Sequence, residues 1–349
     1  MTKHLFPKIT LLLVTTLLLA ACSKPSREFF FIMRVLDTQV ELTLHDVDKA
    51  TAAKAKATVQ EDLNTMRFMW HPWKAGPLGR TNELLATGAE FSANPSVLPL
   101  IKKARVLSAS SDNLYNPAIG KLLDLWGFHT DEQQPKGPPP SAEAIARLVR
   151  QNPQISDIVE EGVRMKSLNP AVKLDFDSLS KGVSFDREMA YLQSIGIKNA
   201  RIKGRHDVKV LGRYQGKPWQ IGIPHPRKRG EFAMVNLNDG ESLFTASDNE
   251  RYYKYNGKRY HPILDPRTGY PADKTALVAV IHPEAATADA ATTALFVAGP
   301  DEWVKIAKQM NLHMVMLIDY RGIIHLTPAM AERIKWQQDV GKVVISEPI

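Results

Sequence analysis

Cysteine is nearly absent from this chain: among 349 residues there is one, Cys22. No disulfide can form within the chain, so a fold of this length must hold together through a hydrophobic core. The ten histidines include no H-x-x-x-H pair, and without further thiolates the usual zinc spacings are missing. Phosphate cradles are missing too: there is no G-x-G-x-x-G opening a helix and no Walker loop, which sets aside the dinucleotide fingerprint and the P-loop. Absence of G-x-S-x-G removes the hydrolase nucleophile elbow. The formal charge of +8 is scattered, with small knots at 226–230 and 198–209. Neither knot has the interleaved aromatics of a nucleic-acid groove, so no nucleic-acid partner is expected and a solvated surface is.

What is present begins at the N-terminus. Lys3 and Lys8 precede the apolar run Ile9–Ala21, and the run ends Leu19-Ala20-Ala21-Cys22. Thirteen residues are too few to span a bilayer comfortably and have the shape of a signal h-region. The small-small-Cys ending resembles the lipobox of bacterial lipoproteins. It implies a signal peptide over 1–21, acylation of Cys22, a lipidated tether over 22–35 and a domain over 36–349. The protein would then be anchored on the periplasmic side of a bacterial membrane without spanning it. Ser23, where aspartate would favour inner-membrane retention, points weakly to the outer membrane.

The body reads as an ordinary globular chain, 44% hydrophobic and 23% charged. "QVELTLHD" (39–46) alternates as a strand, and 47–69 is rich in Ala, Lys and Leu at helical spacing. The proline-rich stretch 129–143 reads as an exposed loop. Lys181 to Ser194 reads as a helix stopped by Gly196. Short strand candidates then cluster at 199–202, 208–212, 219–223, 232–237, 251–255, 258–263 and 276–281. Helices mixed with clustered strands predict an α+β fold, a single domain of mixed strands flanked by helices.

Three segments carry possible chemistry. "ATADAATTALFVAG" (286–299) predicts a helix ended by Gly299 before Pro300. Asp289 and Thr293, four apart, share a face and could offer hard oxygen to magnesium; on spacing alone a helix-start aspartate and a packing threonine explain them better. In "KLDFDSLSKGVSFD" (173–186), Lys181 near a helix entry suits phosphate or, more simply, solvent. "RYHPILDPRTGYP" (259–271) places a histidine beside a rigid turn.

In their order these segments resemble the ApbE-type flavin transferase family, from about Leu36 to about Gly299. The matches are "LLDLWGF" (122–128), Lys181-Gly182 with Asp186 downstream, "GKPWQIGIPHPR" (216–227), "ERYYKYNGKRYHPILDPRTGYP" (250–271) and "ADAATTALFVAG" (288–299). That family uses Mg2+ to split FAD and attaches FMN through a phosphoester to a threonine of a target protein. Here the resemblance implies His261 as general acid or base and Asp265 as a catalytic or turn-fixing partner. It implies Thr38, Tyr115, Lys181, Asp186, Asp248, Arg251, Ile263 and Thr268 as cofactor-binding residues. Asp289, Thr293 and the carbonyl of Ser180 would hold the metal, and the acceptor would be a subunit of a membrane electron-transfer complex.

The chain also departs from the family pattern. Pro262 stands for a second histidine, Arg205-His206 for a glycine pair, Ala246-Ser247 for serine-glycine, Asn249 for tyrosine, and Asp177-Ser178 for another glycine pair. "YNPA" (115–118) stands for "FDPT", Leu36-Asp37-Thr38 for "MGT", and Gly76-Pro77 for serine-glutamate. Each lost glycine puts a side chain where backbone would approach closely, which predicts a remodelled flavin pocket. Three activities are compatible with this pattern: FMN transfer, a non-catalytic flavin-binding or assembly lipoprotein, and an FAD pyrophosphatase.

Overall fold

The computed structural model describes residues 27–36, 38–130 and 137–349. The expected signal peptide and Cys22 lie outside the described residues. Among those described, no helix is long and apolar enough to cross a membrane.

A nine-stranded sheet runs through the molecule with its strands in chain order: β1 (Glu28–Val35), β2 (Thr38–His45), β3 (Asn199–Gly204), β4 (Asp207–Leu211), β5 (Ser242–Ser247), β6 (Thr275–His282), β7 (Met314–Asp319), β8 (Ile324–Leu326) and β9 (Val343–Ile345). Neighbours are antiparallel except β8 and β9. β6, TALVAVIH, is buried at every position but its last. Such a continuous apolar run needs cover on both faces. One face carries the helices α1 (Lys49–Met69), α2 (Asp177–Ser194) and α3 (Ala285–Gln309), which pack with β1, β2 and β3 into the larger core. On the other face the hairpin of Trp219–Pro224 and Glu231–Leu237 closes a second core against Val208 and Val210 of β4 and the inner strands beyond it.

Local chemistry explains the helices. Asp48 caps α1, its carboxylate accepting from the amides of Ala50 and Thr51 at 2.9 Å, and Ala52, Ala55, Val59, Leu63 and Met66 form one buried stripe. α3 is buried on nearly all sides because its first half is mostly alanine and threonine. Small residues there let α2 approach: a Cβ on Gly182 would lie 2.4 Å from the Ala285 carbonyl oxygen. Gly299 takes φ 67° and ψ −176°, which breaks α3 into two segments, and Pro300 starts the second.

The α+β fold expected from the sequence is the fold observed, with three corrections. The tether drawn over 22–35 is strand from Glu28 onward, because Phe29, Phe31, Met33 and Val35 alternate into the core. α2 begins at Asp177, ahead of Lys181, with non-helical angles at Ser178. The loop over 129–143 is not exposed at its start: the His129 side chain is 3% accessible. The loop ends in a helix, Ala142–Gln151, capped by Ser141.

Candidate functional site

Two helix starts meet at the site. The first turns of α2 cross the first turns of α3, and the Gly182 amide donates to Asp289 Oδ2 at 2.9 Å. Beside them Lys181 Nζ donates to Asp207 Oδ2 at 2.6 Å, while Asp207 Oδ1 accepts from the Thr245 amide at 2.9 Å. Burial alone would lower the Lys181 pKa, yet the charges of Asp207 and Asp289, the hydrogen bond and Glu250 hold it well above the ordinary value. Lys181 therefore serves three carboxyls, with Arg205 as a second cation beside Glu250. The shortfall appears in the acids: burial, then Asp207, pushes Asp289 up to about 7 against the pull of Lys181. Glu250 is pushed up to about 7 for the same reasons, with Lys181 and Arg205 opposing.

A cleft opens next to this crossing, lined by Tyr115, His129, Asp177, Arg251, Ile263 and Thr293 among others. Tyr115 is buried and its hydroxyl has no hydrogen-bond partner. His129 sits between two carboxylates, with Nδ1 at 2.5 Å from Asp124 and Nε2 at 2.7 Å from Asp175. Carboxylates accept, so both ring nitrogens donate and the ring is an imidazolium. Burial opposes that charge, but the two hydrogen bonds outweigh it and raise the pKa to about 9. Trp73 stacks on the ring at 4.8 Å. Asp175 also accepts from the Asp177 amide at 2.7 Å, so the clamp fixes the start of α2. Asp177 itself, about half exposed in the cleft wall, is pushed up to about 6 by its enclosure and by Asp175, with Arg67 3.8 Å away pulling the other way.

Of the residues singled out from the sequence, the structure brings together Ser180, Lys181, Asp289 and Thr293 at the crossing, and Tyr115, Arg251 and Ile263 around the cleft. Arg251 is tied to the wall by donating to the Phe128 carbonyl. Others lie elsewhere or are engaged. His261 is buried away from the cleft lining, its Nε2–H donating to the Ala272 carbonyl at 3.0 Å and its ring edge-on to Phe296. Burial lowers it to about 4, and its Nδ1 has no partner. In the structure the ring is therefore neutral, with Nδ1 carrying a free lone pair, and the acid-base role implied for it remains a proposal. Asp265 braces its own turn, accepting from the Arg267 amide at 2.9 Å and from the Arg267 guanidinium. Thr268 is exposed on that turn. Asp186 caps a helix: its oxygens take the amides of Ala285 and Ala286 at 3.0 and 2.9 Å, and it pairs with Lys209 at 2.9 Å. Asp248 is held by both nitrogens of the Arg227 guanidinium, and Thr38 opens β2 opposite Val35.

Sequence reasoning missed His129 and Asp175. The signal was faint: a histidine just after "LWGF" and an aspartate inside "KLDFDS". Arg205 keeps the turn between β3 and β4 with φ 56°, and its guanidinium reaches Glu250 at 3.8 Å.

The ApbE family model matches residues 36–317. The chain is 35% identical over 305 residues to the FAD:protein FMN transferase of Rhodobacter capsulatus, covering 86% of this chain and 57% of that protein's length. It is 27% identical to the FAD:protein FMN transferase of Haemophilus influenzae, covering 86% of this chain and 89% of that one. Among solved structures, the ApbE protein of Thermotoga maritima superposes with a TM-score of 0.80 at 26% identity, over 88% of this chain and 99% of that one. The apo form of the flavinyl transferase ApbE of Pseudomonas stutzeri does so at 0.77 and 26%, over 88% and 97%. With a family match over most of its length and a core of the same shape, this chain belongs to the ApbE family.

Proposed function

We propose that this protein transfers FMN from FAD to a threonine of a membrane electron-transfer subunit, with Mg2+ bound and AMP as leaving group, while anchored through Cys22 on the periplasmic side. The observation that carries the reading is the crossing of α2 and α3. There, the carboxyls of Asp207, Asp289 and Glu250 outnumber the cations Lys181 and Arg205, and an aromatic and apolar cleft adjoins.

A divalent ion fits that surplus. Among the described residues no cluster of three or more His, Cys, Asp or Glu forms a metal site. The donors here are mixed hard oxygens, the Asp289 carboxylate, the Thr293 hydroxyl and the Ser180 carbonyl, a set suited to magnesium completed by water and phosphate. When bound, the ion neutralises charge on the pyrophosphate. Lys181 and Arg251 add fixed positive charge at the cleft, where it counts most in a pocket that excludes water. Tyr115 and Ile263 offer apolar walls to a flavin ring. Asp177, at the cleft wall, is the carboxylate placed to take the proton of an incoming threonine hydroxyl. The His129 clamp holds it there through Asp175.

The test is incubation with FAD, magnesium and a threonine-bearing acceptor subunit, followed by mass spectrometry of the acceptor and assay of AMP. FMN-labelled acceptor with stoichiometric AMP is expected, and Asp289→Ala should abolish both. AMP and free FMN without labelling would make the protein a pyrophosphatase. Neither product at saturating FAD would leave a non-catalytic scaffold.

A further inference from the structure

Directly paired residues in a sheet share a face. Phe30 pairs with Thr43 and Thr43 with Arg201, while Ile32 pairs with Glu41 and Glu41 with Lys203. Arg201 and Lys203 in turn pair with Val210 and Val208, which lie under the second core. Trp219 of the covering hairpin reaches Arg201 on β3 and His45 on β2, and Thr43 and His45 are buried, so the cover stops short of β1 and leaves that end open. Phe30 and Ile32 there are 51% and 55% exposed, and Tyr214, edge-on to His45 at the same end, is 37% exposed. Arg34 and Lys203 flank the apolar pair, while Glu41 opposite Ile32 is held by Arg201, which also donates to Thr43 and stacks on Trp219. β1 is also the edge strand of the sheet.

The chain upstream is short. Arg27 follows Cys22 by five residues, so whatever their conformation they reach at most ~18 Å. If Cys22 is acylated, the start of β1 cannot stand farther than that from the lipid headgroups. We propose that the open face of β1, with Phe30 and Ile32 at its centre, rests on the phospholipid surface, with Arg34 and Lys203 among anionic headgroups. Aromatic and basic side chains side by side suit that boundary. The inference rests on the lipoprotein reading above.

The test uses the full acylated chain in vesicles of mixed zwitterionic and anionic phospholipid, with an environment-sensitive fluorophore on Ile32→Cys or, as control, on Tyr320→Cys across the sheet. Flotation reports the anchor, and quenching by nitroxide lipids reports the face. The expected result is flotation with the position-32 probe quenched at least threefold more than the position-320 probe. Flotation with both probes equally open to water overturns the proposal. So does shielding of position 32 only when an acceptor protein is present, which would make the face a protein interface. Loss of flotation means that the anchor reading has failed, and the proposal falls with it. Should the cysteine variants misfold, amide exchange along β1 in the unsubstituted chain separates the same outcomes: at least threefold slowing in vesicles relative to soluble Cys22→Ser is expected, and unchanged exchange refutes it.

Discussion

Glu188 is the sharpest handle on the physics of this core. It sits on α2 with no accessible surface, and neither carboxyl oxygen has a partner. Burial, and then the charge of Asp62 on α1, pushes its pKa from 4.5 up to about 8, against a smaller opposing pull from Arg187. A group that binds its proton more tightly when folded favours the native state at low pH. Its contribution is complete below the unfolded value near 4.5 and is lost as pH rises through about 8. That interval corresponds to about 5 kcal/mol at full development, of which about 4 kcal/mol falls between pH 5 and pH 9. Glu188→Gln keeps the shape and removes the titration. Urea denaturation of the soluble chain at pH 5, 7 and 9 should therefore show the variant gaining on the parent by about 4 kcal/mol across the range. Asp62→Asn in the parent should narrow that gain. If the stability difference between Glu188→Gln and the parent stays flat within about 1 kcal/mol, Glu188 is solvated or paired in solution and the reasoning fails.

His129 titrates with the same sign at a different place: its pKa of about 9 lies above the 6.5 of the free side chain, so its stabilisation is whole below pH 6.5 and lost as pH rises through 9. His129→Gln should cost about 3 kcal/mol near pH 6 by leaving the buried Asp175 without its cation, Asp124 keeping Lys173, with the deficit shrinking above pH 9 in denaturation curves. Gly182→Ala should cost about 3 kcal/mol by forcing α2 off α3 and should lower FMN transfer together with the melting temperature; transfer at the parent rate would show that the crossing is not the site. Arg205→Gly should raise stability by about 1 kcal/mol through relief of the left-handed backbone, read as a higher melting temperature.

Much of the architecture is legible in the sequence because pattern and environment agree. α1 carries its cap and stripe in plain order, and Gly299-Pro300 marks a break where the backbone does break. β1 hides because Phe30 and Ile32 are apolar on the open face, which erases the alternation a half-covered strand should have. At the site, Asp289 and Thr293 are visible as a pair four apart. Asp186 looks equally suited to a ligand until the fold brings it to the amides of Ala285 and Ala286, far along the chain. His261 is hard to place for a related reason: the rigid turn beside it is plain, but the packing of its ring against Phe296 is not encoded in any local pattern. His129 goes unseen because Asp175, the acid that completes its clamp, is 46 residues away, and a proline-rich stretch follows it.

The first half of α3 has one further consequence. From Ala285 to Gly299 every residue is buried except Thr293, which is partly accessible at the cleft. Backbone amides in such a segment reach deuterated solvent only when the whole domain opens, so their exchange rates should report the global unfolding free energy, while loops around the cleft exchange by local fluctuation. Asp289 and Thr293, proposed above as metal donors, thus sit on the element expected to exchange most slowly, and a ligand that slows the cleft loops without slowing α3 would be acting on access alone.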